Sequence, residues 1–171
     1  MAERMKNCAP GRGAKARSAG FTLIELMVVV TVAAILAGIA APSFRELMAA
    51  QRVRAATSDL YLALVKARSE AIKRNGEVTI RPMHVDWDDG WKIVNPEDPA
   101  GPELQVQTAP ASVSIAATSG LGEIVYNGSG RTTLAPGGDR KFVITAPNTS
   151  LSRCVLVDNS GRPYVKEGSV C

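Results

Sequence analysis

The sequence predicts an α+β protein. One long N-terminal helix, transmembrane in its first half and amphipathic in its second, packs on a small antiparallel β-sheet head. Three observations predict it. Nineteen residues from Leu26 to Phe44 carry no charge. Between Val53 and Ala71 small apolar residues recur at helical spacing. After Gly76 the pattern breaks into short β-type runs separated by Gly, Pro and Asn. With 171 residues the chain has room for one domain with a modest core, not for two full-sized ones.

The formal net charge of +4 suggests a nucleic-acid partner until it is located. Residues 1–20 carry Arg4, Lys6, Arg12, Lys15 and Arg17 against Glu3. The rest of the chain is therefore neutral overall, and the excess belongs to the N-terminal segment. With 46% apolar residues the chain is not broadly disordered. A single histidine, His84, argues against His-rich metal sites and most Ser/His or Cys/His catalytic arrangements. No nucleophile has a visible base partner, so the chain is not read as an enzyme, and no cofactor is expected.

The first element is the uncharged run. Twenty apolar residues as a helix span about 30 Å, enough to cross a bilayer. The basic segment before it should stay cytoplasmic, which puts the body after Phe44 on the far side. A secretory signal peptide has small residues for cleavage at Ala37–Ala41, but Glu25 interrupts its apolar run and the cut would precede Pro42. A plain anchor leaves Glu25 unexplained, because a carboxylate in hydrocarbon needs a partner.

The second element continues the helix. From Val53, apolar residues fall at Ala56, Leu60, Leu64, Ala67 and Ala71, one helical face. Arg52, Arg54, Asp59, Lys66, Arg68, Glu70, Lys73 and Arg74 occupy the others. Lys73 and Arg74 suit the negative end of the helix dipole, and Asn75-Gly76 is a stop signal. One helix is expected over Phe21–Arg74, with Pro42 as a site for a kink.

The third element is the head. Strands are expected at Glu77–Met83, Trp91–Asn95, Leu104–Thr108, Val113–Ala117, Glu123–Tyr126, Arg131–Leu134, Arg140–Thr145, Arg153–Val157 and Pro163–Lys166. Asn127-Gly128 and Asn159-Ser160-Gly161 read as hairpin turns, and Pro96–Pro102 as a surface loop. No internal repeat or low-complexity tract stands out.

The string Gly20-Phe21-Thr22-Leu23-Ile24-Glu25-Leu26 resembles the processing site of type IV pilins and pseudopilins. The resemblance implies that a prepilin peptidase cuts between Gly20 and Phe21 and N-methylates Phe21. Glu25 then becomes the fifth mature residue and Pro42 the twenty-second, both family positions. A paired carboxylate in lipid makes Glu25 a register device: a misaligned subunit leaves a buried charge alone. The domains that follow are a cleaved leader at 1–20, a transmembrane half-helix at 21–44, an amphipathic half at 45–75 and a periplasmic head at 76–171. The chain is expected in the bacterial inner membrane, with its N-terminus cytoplasmic.

In the head, Trp87-Asp88-Asp89-Gly90-Trp91-Lys92-Ile93, then Asn127 to Arg131-Thr132, then a Gly161-Arg162 hairpin resemble the GspH/FimT/FimU group of minor pilins and pseudopilins. That implies a structural subunit that primes or caps a type IV pilus or a type II secretion pseudopilus. Other minor subunits and an inner-membrane assembly platform are its partners. Cys8 leaves with the leader. Cys154 and Cys171 remain, an even pair in an oxidising compartment, and a disulfide between them would close the last hairpin.

Two further sites need weighing. Asp86, Asp88 and Asp89 before Gly90 have a calcium-loop flavour, but the spacing is not that of an EF-hand, and a polar turn with Trp87 and Trp91 packing inward is the simpler reading. His84 is read as a local cap. DNA is the alternative function. FimT-like proteins are implicated in DNA uptake through a C-terminal Gly-Arg-x-Arg motif; here Gly161 and Arg162 match, and Tyr164 replaces the second arginine. Residues 75–130 are net acidic and 131–171 net basic. Arg131, Arg140, Lys141, Arg153, Arg162 and Lys166 could contact phosphates, with Tyr164 as a stacking surface. The bland reading is a solvated hairpin whose charges keep an edge strand soluble.

Overall fold

A computed structural model describes residues 20–118, 122–133 and 140–171. The chain divides after Ala40 into two compact units. One helix, α1, is assigned over Leu23–Arg74, with Pro42 inside it. In the first unit, from Gly20 to Ala40, every side chain is exposed, including an apolar run from Leu26 to Leu36. An apolar surface of that length is what lipid or neighbouring helices would cover.

In the second unit the expected helical face is the buried one. Val53, Ala56, Leu60, Leu64, Ala67 and Ala71 are fully buried, joined by Ala63 and Thr57. Thr57 is tolerated there because its hydroxyl donates to the Val53 carbonyl at 2.6 Å. Four alanines on this face let a sheet approach the helix closely. The helix ends at the Asn75-Gly76 signal: Asn75 takes φ 48°, and the Gly76 N–H donates to the Ala71 carbonyl.

Among the described residues the head contains eight strands: β1 Val78–Pro82, β2 Gly90–Ile93, β3 Gln105–Thr108, β4 Ser114–Ala117, β5 Ile124–Tyr126, β6 Arg140–Thr145, β7 Arg153–Val157 and β8 Pro163–Glu167. As expected they are antiparallel, and they form two four-stranded sheets, ordered β3-β2-β1-β5 and β4-β6-β7-β8. Ile80, Trp91, Ile93, Ile124 and Tyr126 of the first sheet and Ile115, Phe142, Ile144, Val155 and Val157 of the second share one core with α1. The strict alternation of β6, buried at Arg140, Phe142 and Ile144, is the signature of a strand with one face inside.

The expected strand Arg131–Leu134 is not one. Thr132 makes a single bridge to Tyr126, and Leu134 lies outside the described residues. The tight turn leaving β5 uses Asn127–Arg131 itself, and beyond it the Thr133 N–H donates to the Val125 carbonyl at 3.0 Å. The Asp86–Asp89 segment is a 3-10 turn at Trp87–Asp89. Trp87 is buried, edge-on to Phe142 with ring centroids 4.7 Å apart. Asp88 accepts hydrogen bonds from the Ile115 N–H and the Ser114 hydroxyl, so this carboxylate ties the turn to β4. His84 Nδ1 sits 3.3 Å from Asp89, a local pairing as expected. The β2–β3 loop is held to the helix end by Arg74, which bridges Glu70 at 3.0 Å and Glu97 at 2.6 Å. The Arg74 hydrogen bond holds the Glu70 carboxyl below its usual range, against the opposing effect of burial.

Candidate functional site

At the N-terminal end, Gly20, Phe21 and Glu25 are all exposed. Glu25 is not alone. Its Oε2 accepts from the Thr22 N–H at 3.3 Å and the Thr22 hydroxyl at 3.4 Å, and the Thr22 hydroxyl accepts from the Glu25 N–H at 3.2 Å. That is a capping box on the first turn of α1: threonine at the cap, glutamate three residues on. It explains why the helix starts at Leu23 instead of Phe21. The Thr-x-x-Glu spacing is present in the sequence and gives Glu25 a local partner on its own chain.

At the far end of the head, the β7–β8 hairpin carries the disulfide Cys154–Cys171. The basic residues assigned to a patch separate here into two groups. Arg140 is buried, because β6 alternation turns it inward with Phe142 and Ile144, so it does not belong to an exposed patch. Arg153 is only partly exposed and is bridged at 2.9 Å to Glu167 directly across the strand pair, so its charge is spent. Lys166 lies 5.7 Å from the Tyr164 ring on the same strand face, as expected for residues two apart. Arg162 is 72% exposed and only loosely opposed by Asp158 at 4.0 Å. Lys141 is half-buried, and Arg131 is exposed.

Arg131 and Arg162 occupy equivalent positions in two copies of one turn. Asn127-Gly128-Ser129-Gly130-Arg131 follows β5, and Asp158-Asn159-Ser160-Gly161-Arg162 joins β7 to β8. In the first, Asn127 Oδ1 accepts from the Ser129 N–H, the Ser129 hydroxyl and the Arg131 N–H. In the second, Asp158 Oδ1 accepts from the Ser160 N–H, the Ser160 hydroxyl and the Arg162 N–H. The fourth residue is glycine in the left-handed region in both, φ 74° at Gly130 and 80° at Gly161. These are three-residue hairpin loops with a terminal bulge, not two-residue turns. The pattern Asn/Asp-x-Ser-Gly-Arg occurs twice, a short repeat that inspection for longer repeats passes over.

The two turns abut. A Cβ on Gly161 would lie 2.2 Å from the Gly130 carbonyl oxygen and 3.1 Å from Arg131 Cα. The same carbonyl accepts from Arg68 Nε of α1 at 2.9 Å. Helix, β5 exit and β7–β8 turn thus meet at one backbone oxygen, and the backbone at Arg131 lies against the turn that precedes Arg162. Burial would raise the Asp158 carboxyl, but hydrogen bonds from Ser160 and Arg162 and the Arg162 charge together hold it below its usual range. Its contribution to stability is present above the ordinary carboxylate pKa and is lost as pH falls through the lowered value. Asp158→Ala should cost about 1–2 kcal/mol through three lost hydrogen bonds in a partly exposed turn. Asp158→Asn should be close to neutral, because Asn127 does the same work in the twin turn. Urea melts of the two variants check this; equal losses would show that charge, not hydrogen bonding, holds the turn.

Residues 56–161 match the family described as type II transport protein GspH. The chain belongs to that family. Residues 15–41 match the prokaryotic N-terminal methylation motif, which spans Gly20, Phe21 and Glu25. In fold the GspH-family chain is similar to the type IV minor pilin FimU of Pseudomonas aeruginosa strain PAO1. One crystal form gives TM-score 0.59 at 23% identity, covering 71% of this chain and 96% of that one. A second gives TM-score 0.57 at 21% identity, covering 69% and 98%. No curated protein matches the sequence. The family is one of pilin-like structural subunits, and its methylation motif implies prepilin peptidase processing and assembly with other pilins. The apolar N-terminal half of α1 fits anchoring in the inner membrane.

Proposed function

We propose that this protein is a minor pilin or pseudopilin that primes or caps a type IV pilus or type II secretion pseudopilus. It is held in the inner membrane by one span, N-terminus cytoplasmic and head periplasmic, until processing. Cleavage between Gly20 and Phe21, with N-methylation of Phe21, frees an amine four residues from Glu25. The new amine and the carboxylate then set register between neighbouring helices, on the assembly platform and beside other minor subunits. The observation that carries this reading is the methylation motif over residues 15–41, joined in one chain to a GspH-type head.

The test is a pair of variants in a cell that assembles the filament. Gly20→Glu should leave the chain at its full length on a gel. Glu25→Ala should insert and be shortened normally but be depleted from sheared filaments by about tenfold, as an unpaired charge in lipid would predict for its neighbour's amine. Normal shortening of the first, or normal incorporation of the second, overturns the reading.

DNA capture is a second reading, and the adjacency of Arg131 and Arg162 favours it. The first turn brings Arg131 close along the backbone to Arg162, a partner arginine that Tyr164 does not supply in sequence. Detergent-solubilised chain and duplex DNA, titrated over salt, should give a binding slope that falls by about one in Arg162→Ala. Absence of binding at low salt removes this reading.

A further inference from the structure

α1 has a second periodic face, and the head does not use it. Every third or fourth residue from Phe44 to Ile72 is uncharged. Phe44, Met48, Leu62, Val65 and Ile72 are apolar, and Gln51, Ala55, Ser58 and Ser69 stand between them. The steps alternate strictly between four and three, a repeat of about 3.5 residues. At about 100° per residue, this stripe lies half a turn from Val53, Ala56, Leu60, Leu64, Ala67 and Ala71, the face packed on the sheets. It is open: Phe44, Met48, Leu62 and Ile72 are 62%, 41%, 56% and 50% exposed. At its far end Val65, Ser69 and Ile72 open into a recess of about 700 Å3 beside β8.

The charges keep the same repeat. Between Phe44 and Arg74 no charged residue falls on the stripe. Arg45, Arg52, Asp59, Lys66 and Lys73 run along one border of it, and Arg54 and Arg68 along the other. Lys66, Arg68 and Lys73 have partners in their own chain: the Leu104 carbonyl, the Gly130 carbonyl and Glu70. Arg45, Arg52 and Arg54 are exposed, and among the described residues their guanidiniums make no ion pair or hydrogen bond. Glu46 and Glu167 line a recess beside Arg54, beyond ion-pair distance. A lipid surface needs a broad apolar face and no 3.5-residue repeat, whereas a second helix needs that repeat. The middle of the stripe, Gln51, Ala55 and Ser58, offers lipid little apolar area. The borders decide which helix. A second copy would set six cations against six, offset by one carboxylate from each, which disfavours self-pairing. The complement is a helix whose borders are acidic.

We propose that the stripe from Phe44 to Ile72 docks an amphipathic helix of a different subunit, one with an uncharged seam of the same repeat and carboxylates along its borders. The contact rests on the assembly reading for its setting, but its test does not need the assembly machine. Full-length chain in detergent is titrated against two fluorescein-labelled helical peptides of four heptads. Both carry Leu and Ala along the seam; one has Glu along its borders and the other Lys. The Glu peptide should bind about tenfold more tightly than the Lys peptide. Arg52→Glu together with Arg54→Glu should reverse that order, and Leu62→Lys should weaken both about tenfold. All three positions are exposed, so the melting temperature should stay within about two degrees, which separates lost contact from lost fold. Equal binding of the two peptides, no binding of either, or an order that survives the charge reversal overturns the proposal. Photoreactive p-benzoylphenylalanine at position 62 tests the other occupants. Irradiated without peptide it should give no covalent dimer; a dimer would make the partner a second copy and overturn the proposal. In anionic vesicles with the Glu peptide it should attach to the peptide; attachment to lipid would make the stripe a membrane contact and overturn it equally. Processing and filament incorporation are scored in cells without either peptide, so failure of this contact and failure of the assembly reading are distinct results.

Discussion

Gly161→Val is expected to destabilise the head by about 2–4 kcal/mol. Two costs add. A branched residue at φ 80° sits in the left-handed region that L side chains disfavour. Its Cβ would also lie 2.2 Å from the Gly130 carbonyl oxygen, which already accepts a hydrogen bond from Arg68 Nε at 2.9 Å that any shift would strain. Even alanine meets both, so Gly161→Ala should already show most of the loss. Thermal melts of the full chain in detergent would read this as a fall of about ten degrees. A shift of under about two degrees would mean that the turns separate easily, and the adjacency of Arg131 and Arg162 would lose its basis.

Phe142→Ala should cost more, about 3–5 kcal/mol, the range for emptying a fully buried aromatic site. Phe142 belongs to the second sheet, and its edge-on partner Trp87 to the turn that leads into the first. The cavity would therefore open between the sheets, where neither can close it alone. Tryptophan emission should shift to the red in the folded variant as Trp87 gains water. Phe142→Leu, which keeps most of the volume, should recover more than half of the loss. Equal losses for Ala and Leu would place the energy in the aromatic contact instead of the volume.

Much of this was legible from local pattern. The buried face of α1 at Val53, Ala56, Leu60, Leu64, Ala67 and Ala71 followed from spacing, and its end from Asn75-Gly76. Eight strands followed from alternation and turn residues, within a residue or two at each end. What stayed hidden depends on pairing across long stretches of chain. Nothing in the β4 residues says that they join β6 instead of β3, so the division into two sheets is not written in local pattern. The burial of Arg140 is legible in its step with Phe142 and Ile144, against the surface position that its charge suggests. The turns that precede Arg131 and Arg162 touch at Gly130 and Gly161, a contact that spacing along the chain does not reveal. The Thr22–Glu25 capping box is legible in four consecutive residues, because both partners lie in one helical turn.

The order in which the strands are shared out has a consequence for cooperativity. The first sheet takes β1, β2, β3 and β5, while the second takes β4, β6, β7 and β8. The chain thus crosses to the second sheet at β4, returns for β5 and crosses again. Neither sheet is a continuous stretch, so neither can detach as a folding unit without pulling a strand out of the other. Long loops must close before either sheet is complete, which slows folding. Once complete, the head should melt in a single step, with calorimetric and van't Hoff enthalpies that agree.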